Sequence, residues 1–168
     1  MNAAYSQEIE RLYLQMYDKL FSYAKSSLRS DSLAEEAVQE TFGIACSKPE
    51  ALCASENPEG WLVKTLKYVL SNMARSRKTV NQLLTDYISA RVKELTASED
   101  RLSFELLYED IAEMEEFQLL KEMVIDGKSQ LEMAQARGIS LDACKKRVQR
   151  AKKVLREKLQ KPCHQGAI

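Results

Sequence analysis

The chain has 168 residues and no net charge, its 25 basic side chains balanced by 25 acidic ones. Only five Gly and three Pro occur among abundant Leu, Ala, Glu, Lys and Gln, a helix-forming composition. No alternating β-branched run argues for a sheet, no stretch approaches the ~20 apolar residues of a membrane span, and the start MNAAYSQEIERLYL has no signal-peptide pattern. The sequence therefore predicts an all-α, soluble, cytoplasmic protein with no membrane span.

The first predicted helix runs from Ile9 to Leu28, where Ile9, Leu12, Tyr13, Met16, Tyr17, Leu20, Tyr23, Ala24 and Leu28 recur at steps of three and four. Ser32 then opens Ser-Leu-Ala-Glu, with Glu35 placed to complete a capping box. The helix that follows reaches about Cys46. Ala34, Val38, Thr41, Phe42 and Ala45 form its inner face, and Glu35, Glu36, Gln39 and Glu40 form an acidic, amide-bearing strip. Residues 47–60 read as a loop. Asn57-Pro58 has the form of an N-cap followed by Pro at the first helical position.

A third helix is predicted from Trp61 to about Arg77, packing through Leu62, Leu66, Val69, Leu70 and Met73. Residues 79–100 read as a polar, partly helical tether. Two acidic helices are expected at roughly 101–112 and 114–126, with Leu102, Leu106, Leu107, Ile111, Phe117, Leu119, Leu120 and Val124 as core candidates. Asp126-Gly127 marks a helix end, because Gly readily takes the left-handed conformation there. Four cysteines show no CxxC pairing. Cys163 beside His164 has no second pair with which to complete a tetrahedral zinc site, so neither metal nor cofactor is expected.

The spacing becomes specific after Gly127. Ser129-Gln-Leu-Glu132 is a capping box opening a short helix, Gly138 ends that helix, and Ser140 is placed to cap a longer one. A short helix, a Gly-containing turn and a longer helix make a helix-turn-helix. At ~100° per residue, Cys144, Val148, Ala151, Leu155 and Leu159 fall on one stripe of the last helix. Asp142, Lys146, Gln149, Arg150 and Lys153 lie opposite, flanked by Lys145 and Arg147. The N-terminal part of such a helix enters the major groove, where Lys146, Gln149 and Arg150 can donate to base edges. Lys152, Lys153 and Arg156 are placed nearer the phosphates.

Charge is strongly segregated along the chain. Residues 1–63 carry net −5, residues 64–93 net +6, residues 94–127 net −9 and residues 128–168 net +8. Two separated basic segments suggest two contacts with a polyanion. A solvated basic helix or half of a coiled coil is the competing reading of 144–159. A coiled coil, however, does not require Ser129, Ala134, Gly138 and Ser140 in register.

The stretch ISLDACKKRVQRAKKVLREKL resembles the end of region 4 in bacterial RNA polymerase sigma factors of the extracytoplasmic-function group, in the sigma-70 family. LAEEAVQETF at 33–42 is similar to that family's region 2, and NPEGWLVKTLKYVLSNMARSRK at 57–78 to the Trp-Leu helix that follows. The resemblance covers nearly all of 9–160. It implies a region-2-like domain over 1–78, a linker over 79–100, a region-4-like domain over 101–162 and a tail over 163–168. It also implies promoter recognition without catalysis, with core RNA polymerase and promoter DNA as partners; an anti-sigma factor is a further partner the family admits. Glu35, Glu36, Gln39 and Glu40 would face polymerase. Lys48, Asn57, Trp61, Lys64, Lys67, Tyr68, Asn72 and Arg75 would face the −10 element. Asp142, Ala143, Lys145, Lys146, Arg147, Gln149, Arg150 and Lys153 would face the −35 element.

Tyr68 and Asn72 stand where the family often has Asn and Asp, and Asp142, Ala143 and Cys144 replace a commoner Gly-Thr-Val. The promoter sequence is therefore not carried over. A free-standing helix-turn-helix regulator explains 128–160 but leaves the 31–78 pattern unexplained. An all-helical adaptor that binds only proteins is a third reading. An enzyme lacks a nucleophile, an acid–base pair or a nucleotide-binding glycine motif in this sequence.

Overall fold

The computed structural model describes residues 3–96 and 113–160. Every regular element among them is helical: α1 (Ala3–Leu28), α2 (Asp31–Ser47), α3 (Pro49–Cys53), α4 (Pro58–Thr96), α5 (Glu115–Val124), α6 (Gln130–Ala136) and α7 (Leu141–Gln160). The chain divides into two compact units, Met1–Arg75 and Ser76–Ile168. No helix among the described residues is long and apolar enough to cross a membrane.

The first unit follows from its apolar periodicity. Ile9, Leu12, Met16, Leu20 and Ala24 of α1 meet Ala34, Ala37, Val38, Phe42 and Ala45 of α2, Leu52 of α3, and Leu62, Leu66, Val69 and Leu70 of α4 in one core. Leu12, Leu20, Leu52, Leu62 and Leu66 are fully buried, each stabilising the unit by about 1.5–3 kcal/mol relative to exposure. Arg29, with φ of 54°, ends α1 in the left-handed conformation. Its N–H donates to the Lys25 carbonyl at 2.8 Å.

Two local expectations change here. The cap of α2 is Ser30, whose hydroxyl accepts from the Leu33 N–H at 3.3 Å; Ser32 lies inside the helix, so the expected Ser32–Glu35 box does not form. The stretch expected to be loop holds the short helix α3, started by Pro49 and anchored by buried Leu52. The Asn57 cap is present. Its Oδ1 accepts from the Gly60 N–H at 2.8 Å, and Gly60 permits the geometry, since a Cβ there would lie 2.6 Å from Asn57 Nδ2.

The second unit is built around Val80, Leu83, Leu84 and Tyr87 of α4, Phe117, Leu119, Leu120 and Met123 of α5, Met133 and Ala134 of α6, and Cys144, Val148, Ala151 and Leu155 of α7. The helix expected to end near Arg77 continues to Thr96. Its positions 80, 83, 84 and 87 follow the i, i+3, i+4, i+7 rule, and they are core where a polar tether was expected. The helix expected at 101–112, with Leu102, Leu106, Leu107 and Ile111, lies outside the described residues, as do Cys163 and His164. No group of three or more potential metal ligands occurs among the described residues.

Candidate nucleic-acid interface

In the first unit, one face of α4 gathers the expected polar residues. Lys64, Lys67, Tyr68 and Arg75 are exposed, and Trp61 and Asn72 are half-buried. At ~100° per residue these positions fall within a strip less than half the helix circumference wide, joined by exposed Ser71. No carboxylate occurs between residues 60 and 85, so the strip is uniformly positive. Arg75 reaches the Asn72 Oδ1 at 3.5 Å. Lys67 Nζ sits 6.0 Å from the ring centroid of Tyr23 on α1, at the outer limit of a cation–π contact.

The two aromatic side chains of the strip differ. Trp61 packs against the first core, whereas Tyr68 is 62% exposed. Tyr23, placed by periodicity on the inner face of α1, is 46% exposed and adds a second accessible ring. The expected loop residues also divide. Lys48 is exposed between α2 and α3, while Asn57 is exposed but commits its side-chain oxygen to the cap of α4.

The acidic strip on α2 is narrower than the helical wheel suggests. Glu35 and Gln39 are exposed and Glu40 is half-buried, but Glu36 is only 5% exposed. Glu36 thus belongs to the interior side of α2. Beside this strip, Tyr13 of α1 meets Phe42 of α2 with ring centroids 4.9 Å apart. Burial, reinforced by the negative charge of Glu35, holds the Tyr17 phenol above its ordinary pKa.

In the second unit the short helix α6, a turn and the long helix α7 follow in order. Ser129 and Glu132 form the full capping box: Ser129 Oγ accepts from the Glu132 N–H at 3.0 Å, and Glu132 Oε2 accepts from the Ser129 N–H at 2.8 Å. Gly138 takes φ of 61° in the turn. Ser140 Oγ then accepts from the Ala143 N–H at 3.1 Å and caps α7. With Cys144, Val148, Ala151 and Leu155 buried, the opposite side presents Asp142, Lys146, Gln149, Arg150 and Lys153 to solvent, with Arg147 exposed and Ala143 and Lys145 half-buried. Lys153 lies 3.9 Å from Glu157, an exposed pair that contributes little.

Two basic residues of these segments point elsewhere. Lys152, expected nearer phosphate, is 6% exposed, and burial, with Arg156 nearby, lowers its pKa. Arg77 donates to the carbonyls of Met123 and Lys128, which occupies it within its own unit. The wheel angle of Lys152, at the edge of the apolar stripe, is the sequence signal for its burial.

Residues 12–80 match the family model of sigma-70 region 2. The region 2 match takes in most of α1, all of α2 and α3, and α4 as far as Val80. It supports a sigma-70-type reading of the first unit, with transcription initiation and DNA binding as the associated roles, and it contains the basic strip on α4 and the acidic strip on α2. Comparison with curated proteins and with solved structures finds no match.

Proposed function

We propose that this chain is an alternative sigma factor of the extracytoplasmic-function group, which binds core RNA polymerase, recognises promoters and directs transcription initiation without itself catalysing a reaction. The observation that carries this reading is the sigma-70 region 2 match over residues 12–80, within which an exposed basic strip and an exposed acidic strip occupy different helices. On this reading the chain comprises a region-2-like domain up to about residue 78 and a region-4-like helix-turn-helix domain over 101–162, whose core also takes in Val80, Leu83, Leu84 and Tyr87 from the stretch first read as a linker. It works in the cytoplasm.

The division of labour follows charge and exposure. Glu35, Gln39 and the accessible part of Glu40 meet polymerase. Lys64, Lys67, Tyr68, Asn72 and Arg75, with Lys48 and the amide of Asn57, meet the −10 element. Tyr68 is the better placed of the two strip aromatics to stack on an exposed base, since Trp61 is committed to core packing. On α7, Lys146, Gln149 and Arg150 read base edges of the −35 element while Lys145, Arg147 and Lys153 neutralise phosphate. Asp142 accepts a hydrogen bond from cytosine, and Ala143 offers close apolar approach.

Run-off transcription with purified core polymerase and a genomic promoter library tests the proposal. Promoter-specific transcripts that require the chain, and that fall when Lys146 and Arg150 are reversed to Glu, are expected. Transcription that ignores the chain would overturn the sigma-factor reading. Dependence on a palindromic site bound by the chain without polymerase would replace it with a free-standing regulator.

A further inference from the structure

The short helix α6, which leads into the basic helix α7, is gripped at both ends by one carboxylate. Glu122 of α5 receives the Lys128 ammonium on Oε2 at 3.3 Å, immediately before the Ser129 cap of α6. The same carboxylate receives the guanidinium of Arg137, the residue that ends α6, on Oε1 at 2.8 Å and Oε2 at 3.3 Å. A planar guanidinium held by two parallel bonds is fixed in angle as well as distance. Arg137 also donates to the Met133 carbonyl at 3.3 Å, so it is tied to the last turn of α6 and to α5 at once.

Backbone bonds complete the brace. The Lys128 N–H donates to the Glu122 carbonyl at 3.0 Å. Arg77 of α4 donates to the Lys128 carbonyl at 3.4 Å and to the Met123 carbonyl. Residue 128 is thereby held through its N–H, its carbonyl and its side chain. Met123 and Lys128 lie at either side of the Gly127 turn, where φ is 71°, and the carbonyls at a helix end have no partner within the helix. Arg77 supplies one.

We infer that Glu122 is a positioning residue for promoter reading, holding both ends of α6 so that α7 is presented at a fixed angle to the major groove, with Arg77 and Arg137 as its co-workers. The inference rests on the proposed −35 role of α7. None of the three touches DNA in this scheme: the positive charge of the two arginines belongs to the brace. Base-edge hydrogen bonds demand angular precision, whereas neutralising phosphate does not. Loss of the brace therefore removes discrimination between sequences and leaves general electrostatic attraction in place.

The test uses the full chain with core polymerase, on promoters recovered from the genomic run-off library with the upstream element intact or scrambled. For Glu122→Gln, the preference for the intact element is expected to fall by about tenfold, the order associated with losing one good base contact. The dependence of binding on salt, which counts neutralised phosphates, stays as in the unsubstituted chain. Val80→Ala serves as a control, because it removes buried apolar volume from the same unit without touching the brace. It is expected to lower thermal stability and keep the preference. An unchanged preference in Glu122→Gln, or an equal fall in both variants, would overturn the positioning role alone. Absence of any preference in the unsubstituted chain would overturn the −35 reading and the brace with it.

Discussion

Tyr68 and Trp61 share a helix face, yet their surroundings give them different work. A 62% exposed phenol on a strip without carboxylates offers a flat ring where an unpaired base can stack, and such a contact contributes ~1–3 kcal/mol. Tyr68→Ala is accordingly expected to reduce promoter opening by polymerase by roughly tenfold, while Tyr68→Phe retains most of it because the ring remains. Trp61→Phe should lower the melting temperature and leave opening nearly unchanged. Permanganate footprinting of unpaired thymines measures both effects, and opening by Tyr68→Ala equal to that of the unsubstituted chain would remove the stacking role. The sequence alone sets both rings toward the −10 element. What separates Trp61 from Tyr68 is the neighbouring helices, which no single-helix periodicity contains. Glu36 illustrates the same limit: it reads as part of an outward acidic strip until α2 is packed, and then it is buried.

Within elements, short-range chemistry was the most legible part of the sequence. Asn57, Ser129 and Ser140 cap as their spacing predicts, and Gly127 and Gly138 take positive φ, because a cap needs only neighbours a few residues away. Ser30 wins the start of α2 over Ser32 for a reason equally local, since its hydroxyl reaches the Leu33 N–H. The extent of α4 was harder to read. Four apolar positions at 80, 83, 84 and 87, spread through polar sequence, gain their meaning only from the second core they enter.

On α7, two adjacent lysines give a test at this scale. Lys153 faces solvent and Lys152 is buried with its pKa lowered. Lys152→Met is expected to stabilise the second unit by roughly 1 kcal/mol at neutral pH, as replacing a buried charge by a matched apolar chain often does, and to leave the salt dependence of DNA binding unchanged. The folded pKa of Lys152 lies below its ordinary value of 10.5. Its penalty is therefore full at neutral pH and fades as pH rises through the folded value, so the advantage of Lys152→Met should narrow toward pH 10.5. Lys153→Met should instead reduce the salt slope by about one. Thermal melts from pH 7 to 10 and salt titrations of the polymerase complex distinguish the two. A reduced slope for Lys152→Met would return that residue to the DNA-facing set.

At the scale of the whole molecule, the balanced charge is itself an argument about mechanism. Segments of net −5, +6, −9 and +8 sum to zero, so at distances beyond a Debye length of ~8 Å at physiological salt the chain exerts little attraction on DNA. Its basic faces act only when brought close. A partner that engages the acidic surfaces would both place the basic helices and remove the opposing charge, which makes DNA affinity conditional on that partner. The isolated chain is thus expected to bind promoter duplex weakly, and the chain with core polymerase far more tightly. Fluorescence anisotropy at physiological salt measures the difference. Glu35→Lys with Gln39→Lys should weaken polymerase-dependent DNA binding, although neither residue is assigned to DNA. Lys146→Glu with Arg150→Glu should weaken that binding while leaving the polymerase contact intact. If the isolated chain bound one promoter tightly and selectively, its neutrality would have no role in gating, and the dependence on polymerase argued from it would fall.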